Sequence, residues 1–255
     1  MSRRHALVGL ILLSACWLSA CASARTVPAN QSDQSGQSGQ PSQRNTLATD
    51  LILESARTVK ELRAATAYQI LDYALEDAYA VIVLPGVYQA GFFYSIRGGN
   101  GVILARTSNG SWGAPAFMGI GGAGYGLQAG LEKQRLVLVV QEREMLESIL
   151  ANGLSFDVIA KYDVLGVREE VGRGSLTTRS PVLAFGDGVG FMAGVAMRGA
   201  VLTLNEGLTQ TYYGQDQGNA KTVMQSVDAR GIEVFELWGA LSANLPGQAG
   251  DAASR

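Results

Sequence analysis

Apolar residues change period along this chain, from helical to strand-like and back. Ile52, Ala56, Val59 and Leu62 recur at helical spacing and predict a helix from Asp50 to Arg63, with Thr49 or Asp50 placed to cap it. A second helical stretch is expected over Ala67 to Glu76. Tyr79 to Leu84 is a compact apolar run closed by Pro85, the mark of a strand. Turn-rich β segments follow at Val87–Arg97, Gly101–Arg106, Trp112–Met118 and Leu136–Val140. Gln141 to Asn152 returns to helical spacing, with acidic residues in its first turn, a stripe of Met145, Leu146, Ile149 and Leu150, and Gly153 as terminator. More strands are expected between Phe156 and Leu204. Helical patterns close the chain at Asn219–Val227 and Ile232–Leu241, where Ile232, Phe235, Trp238 and Leu241 share a face. This order predicts an α+β fold: a Gly-rich, mainly antiparallel β-sheet, curled into a barrel- or sandwich-like core, with N-terminal and C-terminal helices packed on it.

The ends do not fit that core. Arg3 and Arg4 precede an apolar stretch, Ala6 to Leu13, that is too short to span a bilayer, which needs about 20 residues. Leu18-Ser19-Ala20-Cys21 follows, and resembles a bacterial lipobox. The resemblance implies cleavage before Cys21, its lipidation, and acylation of the new amine. Leu13-Ser14-Ala15-Cys16 spells the same letters, but would shorten the apolar core and set bulky Trp17 beside the modified residue. Ala22 follows Cys21, and by resemblance to lipoprotein sorting favours the outer membrane, facing the periplasm. The chain therefore divides into a signal peptide (1–20), a lipidated cysteine with a flexible Gln/Ser/Gly linker (21–45), one domain (46–245) and a frayed tail (246–255).

Composition narrows the chemistry. The one histidine, His5, lies in the signal, and the two cysteines are Cys16 and Cys21. The expected mature chain thus lacks the residues for Ser-His-Asp or Cys-His catalysis, for ordinary zinc sites and for disulfides. Carboxylate-pair hydrolysis and Ser-Lys chemistry stay open on residue types, with no local spacing to support either, and no enzyme, metal or cofactor is expected. Losing Arg3 and Arg4 moves the net charge from −2 to −4, which opposes binding to nucleic acid or anionic membranes except through a local patch.

Glycine is unevenly spread. Gly122, Gly124, Gly126 and Gly130 recur at even positions, and Gly186, Gly188, Gly190 and Gly194 repeat the spacing. In a strand, residues two apart lie on one face, so each segment has one nearly bare face. Tight packing or barrel curvature is one reason for such a strip, and a groove for a lipid chain is another. Gly119-Ile-Gly121-Gly-Ala-Gly124 also matches a dinucleotide fingerprint, but that motif needs a following helix, which Gly126 and Gly130 oppose.

The stretches Val81-Ile-Val-Leu-Pro85, Gln89-Ala-Gly91, Gly101-Val-Ile-Leu-Ala-Arg106, Gly110-Ser-Trp112-Gly-Ala-Pro115-Ala-Phe117, Gly126-Leu-Gln-Ala-Gly130, Gly190-Phe-Met-Ala-Gly194 and Tyr212-Tyr213-Gly214 keep an order and spacing that resemble the SYLF family. That resemblance covers Ala74 to Gly214 and implies a lipid-binding domain that meets an anionic phospholipid membrane, without catalysis. Family members use a basic amphipathic helix near the domain start, which points to Arg57, Lys60 and Arg63. The same three residues also fit a solvated face paired with Glu54 and Glu61. Arg106 and Trp112, in one motif, form a cation–π pair or an interfacial contact, and Trp112 also fits a packing role. Tyr212 and Tyr213 fit a lipid interface or a half-buried strand end. An envelope protein partner is the competing reading of the same β surface.

Overall fold

The computed structural model describes residues 40–64, 69–91, 94–125, 130–157, 180–186, 197, 199–214, 219–227 and 230–242. All of them fall in one compact unit, Ser38–Arg255, which contains every described helix and strand. Cys21 and the signal region lie outside the described residues, as do Gly188, Gly190 and Gly194.

Helix α1 spans Gln40–Ala64 and α2 spans Gln69–Glu76. The start of α1 precedes the expected Asp50 and enters the segment read as linker. Pro41 stands in its first turn, where a missing N–H costs no helical hydrogen bond. Four long strands follow: β1 (Ala80–Gly91), β2 (Tyr94–Ala105), β3 (Ala116–Tyr125) and β4 (Gly130–Val140). Then come α3 (Arg143–Asn152), the short β5 (Leu154–Ser155), β6 (Val182–Gly186) and β7 (Ala200–Leu204). Helices α4 (Glu206–Tyr213), α5 (Ala220–Gln225) and α6 (Ile232–Ser242) complete the described elements. The strands form one antiparallel sheet in the order β5-β7-β3-β2-β1-β4-β6, curled into a half-barrel with helices packed on it.

Several boundaries differ from expectation for local reasons. Strand β1 does not stop at Pro85. Its register with β2 shifts between Val83 and Gly86, and with β4 between Leu84 and Val87, so Pro85 sits in a bulge that asks it for no ladder N–H. The turn-rich β segment expected over Val87–Arg97 holds the closing half of β1 and the opening half of β2, which pair antiparallel. Trp112 stands outside β3 and makes only an isolated bridge with Arg106. Gly153 ends α3 as expected, with φ 77° and its N–H donating to Ile149 O at 2.9 Å.

Strand alternation splits the core in two. Val81, Val83, Val102, Leu104, Phe117, Val137 and Val139 meet Ile52, Ala56, Val59 and Leu62 of α1, with α2 and α6 beside it. Ile82, Leu84, Ile103, Met118, Leu136 and Leu138 meet Ile149 of α3, Phe156 and Met224 on the opposite side. In α6 the buried face is Val234, Leu237, Ala240 and Leu241. Ile232 and Phe235, expected with Leu241 on one face, are exposed, because the helix is seated by its contact with α1.

Candidate functional site

Among the described residues, the sheet is covered on both sides only around the Ala80 end of β1. Toward Gly91 the strands run beyond the cover of α1, and alternation there separates two unlike faces. On one, Arg97 Nε donates to Gln89 Oε1 at 2.7 Å, and Ser95 Oγ donates to Gly124 O at 3.4 Å. Burial lowers the Arg97 guanidinium from its ordinary value, with Glu132 opposing. The other face, on the α1 side, is apolar and open. Tyr94 is 72% exposed, Ile96 70% and Leu131 78%, with Tyr88, Ala123 and Val201 also exposed.

Register joins these residues into rows across five strands. Lys133, Tyr88, Gly98, Gly121 and Val201 are successive cross-strand neighbours, and Leu131, Ala90, Ile96 and Ala123 form the next row. A methyl group at Gly98 would come no nearer than 4.0 Å to another atom, the Ile120 oxygen, and at Gly121 nothing lies within 4 Å. The middle of this face is therefore bare backbone. Where it passes under α1 it deepens into a cleft of about 770 Å³. Leu47, Asp50, Leu51 and Glu54 of α1 wall it on one side, Tyr88, Gly98 and Asn100 form the sheet side, and Asn205 and Leu208 close it at the start of α4. Asn205 caps α4 by accepting from Leu208 N at 3.1 Å.

The even-numbered glycines of β3 play the opposite part. At Gly122 a methyl group would meet Gly199 O at 2.5 Å and Ala200 Cα at 2.6 Å. At Gly124 it would meet the Arg97 guanidinium at 3.1 Å and Ser95 Oγ at 3.3 Å. Gly122 and Gly124 of the strip singled out from sequence are thus covered, whereas Gly130 meets nothing within 4 Å, and on the α1 side of β2 and β3 the open glycines are Gly98, Gly119 and Gly121.

The three basic residues of α1 have separate surroundings. Arg57 is exposed. Lys60 pairs with Glu236 at 3.2 Å on the surface. Arg63 is drawn inward: its Nε meets Asp72 Oδ1 at 2.6 Å, and Nη1 donates to Ala240 O at 2.6 Å, with side chains only 12% and 9% exposed. It ties α1 to α2 and α6. Glu61 pairs with Arg135 of β4. Arg106 lies 4.3 Å over the Trp112 ring, as expected. It also donates to Gly110 O at 2.7 Å and to Leu75 O at 2.9 Å, clamping the end of α2 to the hairpin. Burial lowers its guanidinium from the ordinary value, with Asp77 opposing. Trp112 is 3% exposed and serves packing. Tyr212 and Tyr213 stand in helix α4 rather than at a strand end. Tyr213 is buried and donates to Pro115 O at 2.8 Å, and Tyr212 donates to Glu233.

Among the described residues, no group of three or more His, Cys, Asp or Glu side chains is placed to hold a metal ion, and no helix is long and apolar enough to cross a membrane. Sequence reading missed Tyr88, Ile96, Gly98, Gly121 and Leu131. The alternation of Tyr88, Gln89 and Ala90, then Ile96, Arg97 and Gly98, carried the signal, but the pairing that sets the two runs side by side is a matter of register between β1 and β2.

Fold and site together define a class: a small α+β domain whose antiparallel half-barrel carries an amphipathic sheet extension with one bare, apolar face. Residues 121–244 match the family described as Ysc84, Las17-binding protein actin regulator. The chain is 27% identical over 205 residues to the SH3 domain-containing YSC84-like protein 1 of Xenopus laevis, across 76% of this chain and 61% of that protein. It is 28% identical over 183 residues to the Homo sapiens protein of that name, and 29% identical over 184 residues to Protein YSC84 of Saccharomyces cerevisiae. It spans 53% and 39% of those two relatives, against 68% of its own length in each case. Residues 121–244 thus carry a Ysc84/SYLF family domain match, and the chain has YSC84-like homologues.

Proposed function

We propose that this chain is a lipid-anchored envelope protein whose SYLF domain binds anionic phospholipid at a membrane surface, with Cys21 as the anchor and no catalytic step. The observation that carries the reading is the exposed apolar face of Tyr88, Tyr94, Ile96 and Leu131, held beside Lys133 on the side of the sheet where α1 lies. Tyrosine rings with one wet end suit the headgroup region of a bilayer, and a lysine among them suits anionic lipid. Arg57 and Lys60, exposed on α1, add positive charge on that side. Arg63 and the Arg106–Trp112 pair support the frame that holds it. Each basic residue near an anionic surface contributes about 1 kcal/mol, so binding is weak, and the anchor makes it effective by keeping the membrane close.

The test is flotation of the Ser38–Arg255 unit with phosphatidylglycerol and with phosphatidylcholine vesicles over a range of salt. Retention on phosphatidylglycerol that fades with salt is expected, weakened further by Arg57→Gln with Lys60→Gln. Equal retention on both, or none on either, overturns the reading. The family description, Las17-binding protein actin regulator, favours a second reading in which the same face docks a protein; for an anchored chain we take that to be an envelope protein. Saturable capture of that partner without lipid would identify it.

A further inference from the structure

Tyr88 separates two opposite charges. Lys133 Nζ lies 5.6 Å over its ring on the β4 side. On its other side the ring lines the cleft that holds Asp50 and Glu54, one helical turn apart on α1. Neither carboxylate has an ion pair among the described residues, and Lys133 has none there either. An anionic headgroup alone satisfies only Lys133 and is repelled by the cleft. A purely basic ligand satisfies only the cleft. The floor between them is the bare backbone of Gly98 and Gly121, open and continuous with the apolar rows of Ile96 and Leu131.

We infer that the cleft and the glycine floor hold one zwitterionic phospholipid with a primary-ammonium head, taken from the bilayer. The ammonium lies between Asp50 and Glu54, where charge-assisted hydrogen bonds to carboxylates are strong. The phosphate crosses Tyr88 to Lys133. An acyl chain lies over Gly98 and Gly121 toward Ile96, where side chains would otherwise fill the space. A volume of about 770 Å³ suits a headgroup with part of a chain. This assignment rests on the membrane reading above and adds a selected lipid to it. Anionic lipid draws the domain to the surface, and the cleft then selects by headgroup.

The experiment compares retention of Ser38–Arg255 on vesicles of phosphatidylglycerol with phosphatidylethanolamine and of phosphatidylglycerol with phosphatidylcholine, at equal anionic content. The primary ammonium donates hydrogen bonds that the quaternary one lacks, so the ethanolamine vesicles are expected to hold the domain about tenfold more tightly. Asp50→Asn with Glu54→Gln should remove that preference while leaving retention on pure phosphatidylglycerol unchanged or higher. Gly98→Val should also remove it without lowering the melting temperature, because its Cβ enters open space. Equal retention on the two mixtures overturns the inference and leaves the anionic reading standing. Loss of binding to every vesicle overturns both. Soluble phosphoethanolamine binding as tightly as the lipid overturns the acyl-chain assignment. Protection of the cleft by a basic apolar peptide, with no response to either lipid, assigns the face to a protein instead.

Discussion

Arg63 shows how a surface-looking charge becomes structural. Its step of three from Lys60 suggests a solvated stripe, yet its guanidinium reaches Asp72 and the Ala240 carbonyl in a nearly dry pocket. Removing one partner of such a pair strands the other charge, so Arg63→Gln should destabilise the domain by about 3 kcal/mol, whereas Arg57→Gln should change stability by under about 0.5 kcal/mol. Thermal or urea unfolding of the two variants checks this, and equal midpoints would contradict it. Tyr213 offers a residue-scale pH test. Burial, first, and then neighbouring Tyr212 push its phenol well above the ordinary tyrosine value, with Arg230 opposing. A group whose folded pKa is raised contributes stability that is intact below its unfolded pKa, about 10, and is lost as pH rises through the folded value. Stability should therefore fall above about pH 10. Tyr213→Phe should flatten that fall, while costing about 1 kcal/mol at neutral pH through the lost bond to Pro115 O. Melting curves from neutral to alkaline pH decide the matter, and an unchanged alkaline slope in the variant would count against it.

At the scale of elements, β3 carries two kinds of glycine on its two faces. Gly122→Val would drive a side chain into the backbone of Gly199 and Ala200, which cannot yield cheaply, and should cost several kcal/mol, about 3 by the measure of overpacked cores. Gly121→Val, one residue away, meets open space and should leave unfolding nearly unchanged. Gly124→Val falls between, because the atoms it meets include the flexible end of Arg97. Matched losses at Gly121 and Gly122 would show that the α1-side face is covered. The helices divide in a similar way. The apolar stripe of α1 was legible from Ile52 to Leu62, because a 3.6-residue period needs no knowledge of what it packs against. The buried stripe of α6 was not. Its apolar residues surround much of the helix, so only the seat against α1 chose Val234 and Leu237 over Ile232 and Phe235.

For the whole molecule, the central prediction concerns attachment. Cys21→Ser should abolish acyl labelling and release the protein from membranes, whereas Cys16→Ser should leave labelling intact. Loss of label from Cys16→Ser alone would move the anchor to that residue. The lipobox-like run, the α+β class, the glycine-rich antiparallel strands and the family resemblance were determined by the sequence itself, because each rests on local order: a short apolar core before cysteine, a change of period, or motifs spaced along one stretch. The candidate docking face was decided by tertiary structure alone. Lys133, Tyr88, Gly98, Gly121 and Val201 are distant in sequence and meet only because antiparallel register sets them in one row. Whether a glycine is bare or covered, and whether an arginine is wet or dry, depends on which element lies over it. That relation is set by packing between distant segments, which no local pattern encodes.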